Sequence, residues 1–169
     1  MNIKSKKSLG QNFLIDRTVL DIIVSACDVT NKEILEVGPG TGNLTNYILK
    51  KKPNKIYVVE KDDELALLLK DKFGNEIEVI NNDILNVEEN KISEQKLTVF
   101  GNLPYNISTE ILSKWIINIG KKFWFESLVL MFQKEVADRI IAESNSSKYG
   151  RLSILTNWKL NVKKIIDIK

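Results

Sequence analysis

The stretch Glu33-Ile-Leu-Glu-Val-Gly-Pro-Gly-Thr-Gly42 decides how this chain is read. A short apolar run leads straight into glycines spaced two apart. A run that short, bounded by turn residues, is a buried strand rather than a helix. Glycine after a strand permits a tight turn and lets a ligand come close to the backbone. The flanking segments repeat the theme. Residues 16–26 place Val19, Leu20, Ile22, Ile23 and Ala26 at helical spacing. Residues 43–51 read as a helix stopped by Pro53. Residues 55–59 read as a buried strand, and 62–73 as a helix capped by an acidic pair and closed by Gly74. Further on, 77–80, 96–100 and 127–132 are expected to be strands, and 108–119 and 134–143 helices. The β-branched residues of 154–168 predict a last strand.

Strands alternating with helices imply a mostly parallel sheet covered on both faces. Right-handed crossovers make it doubly wound and Rossmann-like. Ligands in such sheets sit outside the carboxyl ends of the strands. The informative residues are therefore Glu36 to Gly42, Glu60, Asn82-Asp83, Gly101 to Tyr105, and Gln133. Each of these strand ends carries polar residues or glycine.

Composition narrows the chemistry. The chain has 169 residues, 43% apolar and 28% charged, as expected for one soluble domain and a possible fragment of a second. It has no histidine, which removes imidazole-based nucleophilic triads and most zinc chemistry, and no metal is expected. The single cysteine, Cys27, reads as a buried residue of the first helix, and its isolation points to a reducing, cytoplasmic location. No apolar run reaches the roughly 20 residues of a membrane span. The basic N-terminus lacks the apolar core of a secretory signal. The net charge of +3, with lysines gathered at both ends, is a weak pointer to a polyanionic partner.

The glycine spacing is G-x-G-x-G, because position 43 is Asn, and so departs from the dinucleotide fingerprint. Glu60 ends the second strand, where a carboxylate can accept both hydroxyls of a ribose. Glu36, Glu60 and Asp83 should share the crevice. A pyrophosphate would meet an acidic field there, whereas a sulfonium carrying an ammonium group would be attracted. S-adenosylmethionine is therefore expected rather than NAD, with Asp83 on the adenine amine and Glu60 on the ribose. The bland alternatives are a plain turn for the glycines, a cap for Asp83 and a surface carboxylate beside Lys61 for Glu60.

The tetrad Asn102-Leu103-Pro104-Tyr105 follows the fourth strand. Pro104 pushes Leu103 towards extended geometry. That can aim the Asn102 amide oxygen and a peptide carbonyl at one point, which suits an exocyclic NH2. Acceptors on its two hydrogens favour a pyramidal nitrogen with a free lone pair, and they strengthen as positive charge develops there. Tyr105 offers a face on which a base can stack. The methylated ammonium is acidic enough to lose its proton to water, so no histidine is required. The alternative is a turn with a packed tyrosine.

Several motifs carry a resemblance. Lys7-Ser-Leu-Gly-Gln-Asn-Phe-Leu14, Glu36 to Gly42, Gly101 to Thr109, Phe132-Gln-Lys-Glu-Val-Ala-Asp-Arg139 and Tyr149-Gly-Arg-Leu-Ser153 resemble the KsgA family of ribosomal RNA small-subunit adenine dimethyltransferases. The resemblance covers nearly the whole chain, in order. It implies a class I S-adenosylmethionine-dependent methyltransferase that places two methyl groups on each of two adjacent adenosines near the 3′ end of small-subunit rRNA. It implies cofactor contacts at Asn12, Leu14, Gly38, Glu60, Asp83 and Asn102, beside Glu36 and Gly40 of the glycine loop, and a catalytic tetrad at 102–105. The expected organisation is a cofactor- and RNA-contacting segment over 1–15 and a methyltransferase domain over 16–169. The expected partner is small-subunit rRNA in a pre-ribosomal 30S-type particle, met by a monomer with no membrane attachment. RNA contacts are expected from Lys4, Lys6, Lys7, Lys121, Lys122, Lys148 and Arg151. The family continues past the end of this sequence with a further antiparallel strand, an aromatic-bearing loop and a small helical domain. This chain is therefore expected to be a truncated catalytic domain with weak turnover. The rival readings are an Erm-type large-subunit methyltransferase, a non-catalytic assembly factor and a small-molecule methyltransferase.

Overall fold

The computed structural model describes residues 14–119 and 123–168. Its strands are β1 (Glu33–Val37), β2 (Lys55–Glu60), β3 (Glu78–Asn81), β4 (Leu97–Asn102) and β5 (Phe125–Met131). Its helices are α1 (Arg17–Val24), α2 (Asn43–Lys50), α3 (Asp63–Phe73), α4 (Ser108–Ile117), α5 (Lys134–Ile140) and α6 (Arg151–Lys159). The strands form one sheet in the order β3-β2-β1-β4-β5, and every pairing is parallel. Chain order reverses between β1 and β4, which opens the crevice where ligands bind in such sheets.

Alternation along each strand builds two cores. Ile34, Ile56, Val58 and Phe100 face one way and pack with Leu20, Ile23, Leu44, Ile48 and Leu69 of α1 to α3. Leu35, Tyr57, Val59, Leu97 and Val99 face the other way and pack with Ile111 and Trp115 of α4. The helix starts are set locally. The Asp16 carboxylate accepts from the N–H groups of Thr18 and Val19. Asp62 does the same for Glu64 and Leu65.

The expected last strand over 154–168 is not formed. Residues 151–159 are helix α6, and no strand is assigned over 160–168. The reason lies in Ser153 and Thr156, which are both fully buried. Three residues apart, they share a face of a helix but would point to opposite faces of a strand. The Ser153 hydroxyl donates to the Arg139 carbonyl, and the Thr156 hydroxyl lies between the Leu152 carbonyl of its own helix at 2.9 Å and the Ile140 carbonyl at 3.2 Å, at the end of α5. The Arg139 and Ile140 carbonyls are ones that a helix C-terminus leaves without intrahelical partners. Covering them stabilises the helical arrangement over the β propensity of the isoleucines.

Candidate functional site

The glycine loop between β1 and α2 turns on three positive φ angles: 68° at Gly38, 60° at Gly40 and 76° at Gly42. Gly38 donates its N–H to the Val59 carbonyl at 3.0 Å. A Cβ at Gly38 would lie 3.4 Å from the Asn102 carbonyl oxygen, so the loop runs directly against the end of β4. A Cβ at Gly42 would meet the Phe73 ring at 2.5 Å. From the last turn of α3, Lys72 donates to the Thr41 carbonyl at 2.8 Å and braces the loop from behind.

An open cleft lies over this loop. Glu36 lines it from β1, Gly38 and Gly40 from the loop that follows, Asn102 from β4, Met131 from β5, and Leu14 from the segment before α1. Asn43 fastens that segment by donating its side-chain amide to the Leu14 carbonyl at 2.9 Å. Sequence reasoning thus brought together residues that the fold places in one cleft. It overlooked Asn43 and Met131, the latter because β5 stops one residue earlier than its apolar run.

The carboxylates are more compensated than a simple charge count implies. Glu36 is buried on the same strand face as Ile34 and accepts from the Thr45 hydroxyl at 2.7 Å. Burial pushes its carboxyl up from 4.5 to about 7, with the neighbouring Glu60 charge adding to the rise and the Thr45 hydrogen bond opposing it. Glu60 ends β2 and closes onto backbone N–H groups, Gly40 at 3.2 Å and Asp62 at 2.9 Å. Burial raises its carboxyl, and those two N–H groups hold it down in part. Lys61 pairs with Asp83 at 2.8 Å and not with Glu60. Asp83 also accepts from the Leu85 N–H at 3.0 Å, capping the short 3-10 turn Ile84–Asn86. Lys61 first, then Leu85, hold the Asp83 carboxyl below its ordinary range. The capping alternative for Asp83 is therefore realised. Asp83 does not line the cleft formed by Glu36, Gly38 and Asn102, and Glu60 borders it through Gly40.

On the other side, Leu103 is buried while Tyr105 stands 38% exposed. The Pro104 carbonyl accepts from the Ile107 N–H at 3.1 Å, which folds the tetrad into a turn before α4. Lys148 is ion-paired with Asp138 at 2.6 Å. Arg151 is exposed at the start of α6. Asn12, Lys4, Lys6, Lys7, Lys121 and Lys122 lie outside the described residues. Among the described residues, no acidic, cysteine or histidine cluster could hold a metal ion, and no helix is long and apolar enough to cross a membrane.

A family model described as ribosomal RNA adenine dimethylase matches residues 2–169. The chain belongs to the ribosomal RNA adenine dimethylase family. Within this family it is 76% identical over 169 residues to a ribosomal RNA small subunit methyltransferase A of Pelagibacter ubique (strain HTCC1062), matching 100% of this chain and 64% of that protein. A protein of the same description from Wolbachia sp. subsp. Drosophila simulans (strain wRi) is 44% identical, over 99% of this chain and 62% of its own length. The chain thus spans less than two thirds of the length of these relatives. The solved structure of a dimethyladenosine transferase from Plasmodium falciparum aligns with a TM-score of 0.73 at 31% identity, covering 86% of this chain and 52% of that one. The 23S rRNA methyltransferase ErmE aligns with a TM-score of 0.68 at 28% identity, covering 86% and 55%.

Proposed function

We propose that this chain is the catalytic domain of an S-adenosylmethionine-dependent dimethyltransferase acting on the N6 amines of two adjacent adenosines near the 3′ end of small-subunit rRNA. The observation that carries the proposal is the cleft at the β1/β4 switch point, where the glycine loop and Glu36 meet Asn102. Family membership and the 76% relative support the substrate class.

The residues present suit the donor. A Cβ at Gly38 would touch the Asn102 carbonyl oxygen at 3.4 Å, the buried Glu36 carboxylate lines the cleft, and among the described residues no basic side chain lines it. S-adenosylmethionine supplies an electrophilic methyl group when bound. Glu60 would accept from the ribose hydroxyls, since each carboxylate oxygen keeps a lone pair beyond its backbone bond. Asp83 would accept from the adenine amine while Lys61 holds its other oxygen. Leu14, held by Asn43, would border the bound donor. On the acceptor side, the Asn102 amide oxygen and a tetrad carbonyl would take both hydrogens of the target amine, freeing its lone pair. Leu103 anchors that turn in the core, Pro104 shapes it, and Tyr105 would stack on the base. The proton released on methylation passes to water. Arg151, with the lysines of the N-terminus and of 121–122, would contact phosphates, Lys148 after exchanging Asp138 for RNA. The setting would be a 30S-type precursor in the cytoplasm, met by a monomer.

Mass spectrometry of rRNA from unmethylated small subunits, after incubation with S-adenosylmethionine, tests the reading. Dimethylated adenosine is expected with the unaltered chain and not with Asn102→Ala. The likeness to ErmE makes unmethylated large subunits the informative competitor. Methylation confined to large subunits would overturn the substrate, and calorimetric binding of NAD in place of S-adenosylmethionine would overturn the cofactor.

A further inference from the structure

Helix α4 leaves the tetrad and runs beneath the turn that carries Asp83. On its last turn, the Lys114 ammonium donates to the carbonyls of Ile84 at 2.9 Å and Val87 at 2.6 Å, and to the Glu89 carboxylate at 2.7 Å. Three bonds use all of its protons. The side chains of Lys114 and Glu89 are only 20% and 7% exposed. The next residue, fully buried Trp115, donates its indole N–H to the same Glu89 oxygen at 2.7 Å. Adjacent residues of α4 thus grip residues 84–89 through four polar contacts.

Asp83 belongs to that gripped turn. Its carboxylate holds the Leu85 N–H, and its own carbonyl accepts from the Asn86 N–H at 2.8 Å. The other tether, Lys61, is 58% exposed and therefore weak. A buried ion pair is a poor way to gain stability, because apolar groups of similar volume do as well. In some proteins such a pair instead fixes one geometry.

We propose that Lys114 is a positioning residue: by holding the Ile84 and Val87 carbonyls and Glu89, it fixes Asp83 relative to the tetrad that opens α4, and so sets selectivity for the 6-amino group of the donor's adenine. The proposal rests on the reading of Asp83 as the partner of that amine.

The test compares binding of S-adenosylhomocysteine and S-inosylhomocysteine, its 6-oxo counterpart, by calorimetry with the 169-residue chain. The unaltered chain is expected to prefer the amine by roughly tenfold or more, as a charge-assisted hydrogen bond does. Lys114→Met should cut that preference at least threefold while leaving the 6-oxo ligand's affinity within about twofold. Hydrogen exchange at the Leu85 amide should speed up in the same variant. If Lys114→Met folds poorly, Lys114→Met with Glu89→Gln removes both buried charges, keeps an acceptor for Trp115, and should show the same loss of preference. An unchanged preference accompanied only by a lower Tm overturns the positioning role. No preference in the unaltered chain, or a preference that survives Asp83→Ala, which removes the acceptor, overturns the Asp83 reading and the proposal with it.

Discussion

On the β1–β2–β3 side of the cleft, the strand-end carboxylates are already held: Glu36 by Thr45, Glu60 by the Gly40 and Asp62 amides, Asp83 by Lys61 and Leu85. On the β4–β5 side, surfaces face outward. Tyr105 is 38% exposed, and Ile154 and Trp158 project from α6 at 55% and 65%. The first half carries a network that is complete within itself, so it can be preorganised for a small cationic ligand. The second half offers an aromatic and apolar surface that a large partner would cover. The difference teaches that donor binding should depend on buried hydrogen bonds, and acceptor binding on exposed faces.

The comparison is broken most severely at the tetrad. Asn102→Ala should lower methyl transfer by about 100- to 1,000-fold while S-adenosylmethionine affinity changes far less, measured by rRNA mass spectrometry and calorimetry on the same preparations. Equal losses of affinity and turnover would confine Asn102 to its part in the donor cleft and remove its role at the target amine. Next, Gly42→Ala must accept both a φ of 76° and a Cβ 2.5 Å from Phe73. It should cost about 2–4 kcal/mol in urea unfolding. A neutral result would mean that the glycine loop is not braced by α3. Glu60→Ala should weaken donor binding by about 10- to 100-fold.

Acid sharpens the contrast, because only the donor half buries a carboxyl with a strongly raised value. The Glu36 carboxyl rises from 4.5 unfolded to about 7 folded. The protonated form is favoured by the fold, so its contribution is full below about 4.5 and is lost as pH climbs to about 7. The Tm of the unaltered chain should therefore fall across that window relative to Glu36→Gln, read by calorimetry in parallel scans. A cationic donor should in turn bind more tightly as Glu36 ionises. The smallest effect is expected at Trp158. Trp158→Ser should move stability by no more than about 0.5 kcal/mol, because the side chain is mostly in water. A large loss would show that the acceptor half uses this face for its own packing.

Much of the architecture was legible. Strand β1 has the bounds its apolar run implies, Asp62 and Gly74 bracket α3, and the site-bearing residues follow the strands as expected. The candidate site was legible in part. Glu36, Gly38, Gly40, Leu14 and Asn102 meet in one cleft. The partners that hold them were not legible. Thr45, Lys72 and Lys114 look like ordinary helix residues, and only the fold brings their polar atoms to Glu36, the Thr41 carbonyl and the Asp83 turn.

What the sequence determined alone is local. Apolar alternation, caps and glycine punctuation choose strand, helix and turn from the nearest few residues, and the order of those elements selects a parallel doubly wound sheet. What the tertiary structure decided is whatever depends on a distant partner: that 151–159 is helix, because Ser153 and Thr156 complete the end of α5; that Asp83 pairs with Lys61; and that Glu36 is buried under α2. A hydroxyl or a carboxylate is satisfied by any suitable neighbour, and its own sequence neighbourhood does not say which one folding will bring.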